Sequence, residues 1–559
     1  MSNIWKTKPL DQLLNEAEES EKGLKKTLSA GALIALGIGA IIGAGLFSIT
    51  GMAAANYAGP GIMISFIIAA LGCAFAGLCY AEFASMIPVA GSAYTYSYAT
   101  MGEFVAWIIG WDLVLEYAVG AATVASSWSG YLGKLFNIFG VGFDERLMIT
   151  PFDVTSAGEA GIINLPAVFI IAIMSLVLIK GTSESALVNN FIVVLKVAIV
   201  LIFIFVGFKY VKPENLTPLI PENKGNFGEF GWSGVIRAAA VVFFAYIGFD
   251  AVSTAAQETK NPKKAMPLGI MGSLLICTVL YIIFAYVMVG VVEYSKFAAG
   301  GAGDHLAPVA IAIESMGPVI NGKVVPAYPW LNTSIIIAIL LGYASVILVL
   351  LMGQSRVFYS MSHDGLLPKV FSEVHSKFRT PFKSNLFFLV FVSLFAAFVP
   401  GRVVGEMTSI GTLFAFILVC IGVMVLRKTQ PNAPRAFKTP LVPLVPILGV
   451  VVCFGMMAFL PFDTWIRLVA WMMLGLDIYL YRGIKNSVLG NKDGRGNDAK
   501  TYRITAISGF ILTSILGFLT YLHHQNVNAD DQALINFSVG MVVVHTLFYG
   551  YYLITKRKK

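Results

Sequence analysis

Charge is what this sequence has least of. Of its 559 residues, 13% are Asp, Glu, Lys or Arg, against roughly 25% in a soluble domain. A soluble globular protein is therefore excluded. Long polar stretches are missing too: the first thirty residues, and loops of roughly twenty to thirty, are the longest. Cysteine is scarce, and Cys73, Cys79, Cys277, Cys420 and Cys453 all fall in apolar segments, so neither a disulfide framework nor a metal cluster is indicated. His305, His375, His523, His524 and His545 are scattered without metal-ligand spacing. No HExxH, GxSxG, Walker or paired-acid motif stands out, which leaves a membrane-embedded enzyme as a remote alternative and implies no cofactor. A cleavable signal peptide is not expected, because the polar N-terminus runs too long before the first apolar stretch.

What is present is apolar. Hydrophobic residues make up 57% of the chain and the mean hydropathy is +0.78. Windows of about twenty apolar residues fall at roughly 31–56, 60–87, 101–131, 163–180, 187–209, 233–257, 266–292, 330–358, 384–400, 404–426, 442–461, 464–481, 504–522 and 533–555. The expectation is an all-α polytopic membrane protein with about fourteen transmembrane helices, and Pro461 marks the turn within 442–481. The net charge of +8 is no sign of nucleic-acid binding, since in a membrane protein the distribution of Lys and Arg carries the information. With the N-terminus inside, predicted cytoplasmic pieces hold Lys22, Lys25, Lys26, Lys260, Lys263, Lys264, Lys369, Lys377, Arg379, Arg427, Lys428, Arg435, Lys438, Arg482, Lys485, Lys492, Arg495 and the tail from Lys556 to Lys559. That is roughly three times the external total, as the positive-inside rule expects. Both termini are accordingly predicted in the cytoplasm of a cell bearing this protein in its plasma membrane.

Two spans carry features that oppose a continuous helix. The first contains Gly37-Ile38-Gly39-Ala40-Ile41-Ile42-Gly43-Ala44-Gly45-Leu46-Phe47, with four glycines that each weaken a helix by about 1 kcal/mol. One reading is a mid-membrane break that frees N–H groups on one side and C=O groups on the other. Such a pair suits the carboxylate and ammonium of a small zwitterion. The other reading is close helix packing through small residues. In the sixth span, Phe244-Ala245-Tyr246-Ile247-Gly248-Phe249-Asp250 again sets a glycine and an acid deep in an apolar run. Matching interruptions five spans apart point to a transporter built on inverted repeats. The chain then divides into a cytoplasmic segment (1–30), a first repeat (31–210), a second repeat (233–427) and accessory helices eleven to fourteen (442–555).

These stretches, with Glu258-Thr259-Lys260-Asn261-Pro262, the loop Met361-Ser362-His363-Asp364-Gly365-Leu366-Leu367-Pro368 and Pro434-Arg435-Ala436-Phe437-Lys438-Thr439-Pro440, resemble motifs of the amino acid–polyamine–organocation superfamily. Within it they look most like the cationic amino acid transporter family and its bacterial relatives, over roughly residues 25–460. The resemblance implies a five-plus-five inverted-repeat (LeuT-like) core with discontinuous helices one and six, and alternating access. It implies that an L-amino acid places its carboxylate on the N–H groups of Gly43, Ala44 and Gly45, and its ammonium on the carbonyls of Ile42, Phe244, Ala245 and Ile247. In related transporters of this fold that couple to protons, a fifth-span lysine stands where others hold sodium. By that likeness Lys196 is the proton-coupling group.

The residues themselves support that placement. Lys196 lies near the middle of the fifth span, where a lysine costs about 2.5–3.5 kcal/mol and usually faces a polar interior. Snorkelling to an interface is the competing account. Glu116, midway along the third span, either faces the pocket or bonds neighbouring helices. Asp250 is expected to tie down backbone N–H groups at the sixth-span break, and Phe249 to gate the pocket. Ser345 is a candidate contact for Lys196 from the eighth span, while Arg237 lies near enough to the interface to be structural. In the loop after span eight, Asp364 and Arg356 are placed either for ionic ties or in an ordinary capped turn. No carboxylate except Glu116 is placed to meet a basic side chain, which favours small or apolar neutral amino acids over arginine or lysine. Proton-coupled import is the leading reading, with an amino acid exchanger or a sodium symporter as alternatives. Lipids, a small membrane partner or a second copy are candidate companions of the accessory helices.

Overall fold

The computed structural model describes the chain except residues 1–2, 10–11, 14–27, 88–91, 181–184, 255–258, 299–306, 321–322, 377, 379, 492–498, 527–531 and 556–559, with backbone alone at 3, 185–190, 251, 254, 323, 491 and 526. Among the basic residues counted above, Lys22, Lys25, Lys26, Lys377, Arg379, Lys492, Arg495 and the tail lie outside the described residues, as does Glu258.

Every apolar window has its helix. Eight stretches are long and apolar enough to cross a bilayer unaided: Gly45–Met86, Glu103–Ile138, Phe191–Phe208, Pro262–Val291, Pro329–His363, Gly401–Thr429, Ala499–Gln525 and Gln532–Thr555. The first of these joins the end of span one to span two through Gly59-Pro60-Gly61, where Gly59 (φ +56°) approaches Pro221 too closely for a Cβ. Spans eleven and twelve, Leu444–Ala458 and Phe462–Asn486, meet at 114° around Leu460 and Pro461. Four shorter apolar helices, Ala30–Ile41, Leu165–Lys180, Gly231–Tyr246 and Phe382–Phe398, supply the start of span one and spans four, six and nine. The connecting loops hold a helix at Ser92–Thr100, another at Pro308–Glu314, and a small hairpin pairing Val319–Ile320 with Lys323–Val324. Among the described residues the fold is thus helical, with one two-stranded exception outside the spans. Backbone groups in hydrocarbon have no water to bond, and helices satisfy them internally.

Spans five apart lie side by side: two against seven, three against eight, four against nine, and one against six. Span five fills the space between spans one, seven and eight, span ten leans on two and three, and spans eleven to fourteen pack along the flank. The protein is a multi-pass membrane protein by this architecture.

One end of the bundle can be followed through its bonds. Lys8 Nζ lies 2.9 Å from Asp364 Oδ1, and Tyr94 donates to Asp364 Oδ2 at 2.7 Å. Val488 N donates to Asp364 O at 3.0 Å. Residues 8, 364 and 488 therefore share a face, which requires even numbers of crossings between them. Eight spans separate the first pair and four the second, in agreement with the window count. Glu103 holds the same face, accepting from Tyr98 at 2.8 Å, from Tyr479 at 2.9 Å, and from Ser487. Trp5 rests its backbone on Gly102 (φ +99°), where a Cβ would come within 2.7 Å of Trp5 C.

Candidate functional site

The first span breaks where its glycines allow. The helix Ala30–Ile41 ends at Ile42, whose ψ of 105° leaves the helical region. Bonding resumes with Leu46 and Phe47, both donating to Gly43 O at 3.2 Å. The N–H groups of Gly43, Ala44 and Gly45 thus lie ahead of the first closed turn, where a helix has no internal acceptor for them. A π-helical stretch, Gly45–Ile49, follows. Gly37 and Gly39 do a different job inside the regular helix: a Cβ on Gly37 would come within 2.4 Å of Ser273 Oγ, and one on Gly39 within 2.4 Å of Val193 Cγ2. Both readings of the glycine cluster hold, each for its own glycines.

The sixth span opens over a longer stretch. Its α-helix, Gly231–Val242, tightens into a 3₁₀ turn at Phe243–Tyr246. Ile247 is extended (ψ 137°), and Gly248 takes φ +112°. A Cβ on Gly248 would lie 2.9 Å from Ala40 O, and one on Gly45 would lie 2.2 Å from Ala245 Cα. The two breaks therefore touch, backbone against backbone. Ile42, Gly43, Ala44, Gly45, Phe244, Ala245, Ile247 and Phe249 are all buried there.

Hydroxyls and one amine serve the carbonyls that the breaks release. Tyr281, in the seventh span, donates to Ile41 O and Ala245 O, each at 2.9 Å, and so bridges the two breaks. Ile247 N donates to Phe244 O at 3.2 Å, while Tyr131 donates to Phe47 O at 2.5 Å. A carbonyl has two lone pairs, so Phe244 O and Ala245 O each keep one for a further donor. Lys196 Nζ donates to Gly39 O at 2.7 Å, one turn before the break, and does not snorkel: its exposure is 1%.

Not every expected residue joins this group. Ser345 donates to Gly342 O at 2.9 Å within its own helix. Gly342 is the residue of that span that meets the lysine, since a Cβ there would lie 2.9 Å from Lys196 Cε. Asp250, expected to hold backbone N–H groups, accepts a hydrogen bond from the Tyr117 hydroxyl. Glu116, buried in the π-helical turn Leu115–Val119, lies beside Asp112 and beside Asp250, the residue that closes the sixth-span break. Phe249 is wedged between Tyr80 and Phe416, with centroids 5.7 and 5.1 Å away. Arg237 stacks its guanidinium 4.7 Å above the Tyr57 ring, a packing role that agrees with a structural arginine. Asp364 draws its cation from Lys8. Tyr281 and Lys8 were not singled out from sequence. The available signal for Tyr281 was a phenol in the centre of an apolar span; for Lys8 there was none.

Residues 28–476 match the amino acid permease family. The chain is 44% identical over 487 residues to the branched-chain amino acid permease BcaP of Bacillus subtilis, covering 87% of this chain and 99% of that one. A methylthioribose transporter of the same organism is 41% identical over 489 residues, 88% of this chain and 100% of the other. The vacuolar cationic amino acid transporter 4 of Arabidopsis thaliana is 34% identical over 432 residues, 77% and 68% of the two chains. These relatives are permeases and transporters, not enzymes.

Proposed function

Since this chain belongs to the amino acid permease family, we propose that it imports neutral, apolar amino acids together with protons, by alternating access of two inverted repeats. The side-by-side packing of spans five apart supports the repeats, and the paired breaks support a site between spans one and six. In this reading the substrate carboxylate meets the N–H groups of Gly43, Ala44 and Gly45, and its ammonium meets the carbonyls across the gap. The breaks part to admit it, because Gly45 rests on Ala245 in the closed arrangement.

The observation that carries proton coupling is the bond from Lys196 to Gly39 O. A charge-assisted hydrogen bond is roughly twice as strong as a neutral one. Gain or loss of the lysine proton therefore changes the grip of span five on the inner half of span one. An ammonium at this place also repels a sodium ion, which weighs against sodium coupling. The lipids around the bundle, and a small membrane partner or second copy along spans eleven to fourteen, remain companions within this proposal, with the termini facing the cytoplasm. Neutral amino acids are favoured because the stretches Ile42–Gly45 and Phe244–Ile247, which would hold the substrate, present no carboxylate of their own.

A second substrate reading has a specific basis. The methylthioribose transporter is nearly as similar as BcaP, and its substrate as named is neither an amino acid nor a zwitterion. The test is a thermal-shift screen of the twenty amino acids and methylthioribose, since stabilisation grows as RT ln(1 + [L]/Kd). Uptake of the strongest ligand into proteoliposomes follows, with and without sodium and an imposed pH gradient. Accumulation driven by the pH gradient, independent of sodium and absent in Lys196→Ala, is the expected result. Undiminished accumulation in Lys196→Ala removes the lysine from the mechanism, and counterflow without any gradient requirement makes the protein an exchanger.

A further inference from the structure

Spans five and seven run side by side in the same direction, and two contacts fix their register. The rings of Phe203 and Phe284 lie 4.5 Å apart. One turn later, a Cβ on Gly207 would come within 2.5 Å of Val287 Cγ1. Seven residues are about two helical turns and return to nearly the same face. Seven before Phe203 stands Lys196, and seven before Phe284 stands Cys277. Span seven also lies along span one. A Cβ on Gly269 would lie 2.8 Å from Leu33 Cβ, Ser273 packs on Gly37, and Tyr281 bonds Ile41 O. Cys277 stands on that same face between Ser273 and Tyr281, opposite the stretch of span one whose Gly39 carbonyl takes the lysine. Both registers set the Cys277 thiol beside the Lys196 amine, and the two groups act on each other's charge.

The surroundings leave this thiol a task. Both side chains are buried, at 1% exposure for Lys196 and 0% for Cys277. Span one offers the amine the Gly39 carbonyl at 2.7 Å, and span eight meets it with Gly342, which has no side chain to offer. Among the described residues, the titratable groups on this side are Cys277 and, behind it, Tyr281, Tyr246 and Cys73. An ammonium carries three donors, and a thiol is both a weak donor and a weak acceptor. The sulfur accepts from the amine while it is charged. Once the amine has lost its proton, the S–H donates to the nitrogen lone pair, and no proton passes to sulfur. A buried polar group without a partner is costly, and this partner serves both forms while holding neither firmly.

We propose that Cys277 is a positioning residue for proton coupling: its thiol meets the Lys196 amine in both protonation states and tunes how readily that amine takes up a proton. This rests on the coupling role given to Lys196 above. Tyr281, one turn further along the same face, bridges the two breaks. Span seven thus carries the lysine's partner and a link to the substrate site on one helix.

The full-length protein in proteoliposomes tests this, with L-leucine uptake driven by a fixed pH step over roughly pH 5 to 9. Cys277→Ala takes an acceptor from the charged amine, and hydrogen bonds to a charged form favour it. The half-maximal pH is therefore expected to fall by at least about half a unit, about a threefold higher proton concentration. Cys277→Ser restores a donor and an acceptor and should return the midpoint to the native value or above it. Cys277→Val fills the space without either function and should behave like Cys277→Ala. A native midpoint in Cys277→Val, with Cys277→Ser the most disturbed, shows a thiol that only packs and overturns the proposal. A midpoint unmoved in all three variants overturns it too. A second readout needs no substrate. The Tm of each variant is compared with that of the same variant carrying Lys196→Ala over the same pH range, so the difference isolates the lysine. Its midpoint should follow the same order, and an order that ignores residue 277 overturns the assignment of Cys277 alone. Uptake driven by pH that persists in Lys196→Ala overturns the coupling role of the lysine instead, whatever residue 277 does.

Discussion

The two breaks reach the same end by different means. In span one the interruption is short, confined to Ile42 and Gly43, and glycine on both sides makes it inexpensive. In span six it runs from Phe243 to Asp250, and its first five residues are bulky or helix-compatible. Nothing local in Phe243-Phe244-Ala245-Tyr246-Ile247 requires that helix to open. Donors from elsewhere hold it so: Tyr281 takes Ala245 O, and Tyr117 takes the Asp250 carboxylate. A break can thus be encoded by the residues that form it or imposed by the residues around it.

Substitutions can break this contrast. The largest effect is expected from Gly45→Leu, whose side chain would be driven into the Ala245 backbone. Amino acid binding should fall by at least about a hundredfold, since overpacking a rigid backbone contact costs several kcal/mol. Thermal-shift titration measures this, and unchanged affinity would place the carboxylate elsewhere. Next comes Gly248→Ala. A non-glycine residue at φ +112° facing Ala40 O should lose about 1–3 kcal/mol of stability, read as a lowered Tm with binding weakened in step.

Tyr281→Phe separates imposed from encoded structure. It strips a donor from Ile41 O and Ala245 O together, and leaving buried carbonyls unmet should cost about 1–3 kcal/mol. Hydrogen exchange should then rise around residues 243–250 more than around 42–45, because the first break keeps its own glycines. Equal loosening at both would contradict the distinction. The smallest functional effect is expected at Gly37. Gly37→Ala crowds Ser273 and should lower Tm while leaving amino acid affinity within about twofold, since that glycine packs and does not form the break.

Much of the fold was legible because its causes are local. Apolar runs of bilayer length located the fourteen spans, and Pro461 marked the turn between spans eleven and twelve. The glycine run announced the first break, and Lys196 stood out as an amine in a hydrocarbon setting. The partners of these groups were less visible. Ser345 looked like the natural polar neighbour of Lys196, yet its hydroxyl bonds Gly342 O, and the missing side chain of Gly342 is what admits the lysine stem. A sequence displays side chains more readily than the gaps between them. Lys8 and Asp364, 356 positions apart, carry no pattern that pairs them, and the same holds for Thr464 and the Glu406 to which it donates.

By itself the sequence determined which segments lie in the bilayer and where the first of them must yield, because hydrophobic length and glycine flexibility act over a few residues. The tertiary structure alone decided how far the sixth helix unwinds, which hydroxyls meet its carbonyls, and which distant side chains pair. Those outcomes depend on groups from distant spans meeting within hydrogen-bond distance, and such a meeting exists only once the helices have packed.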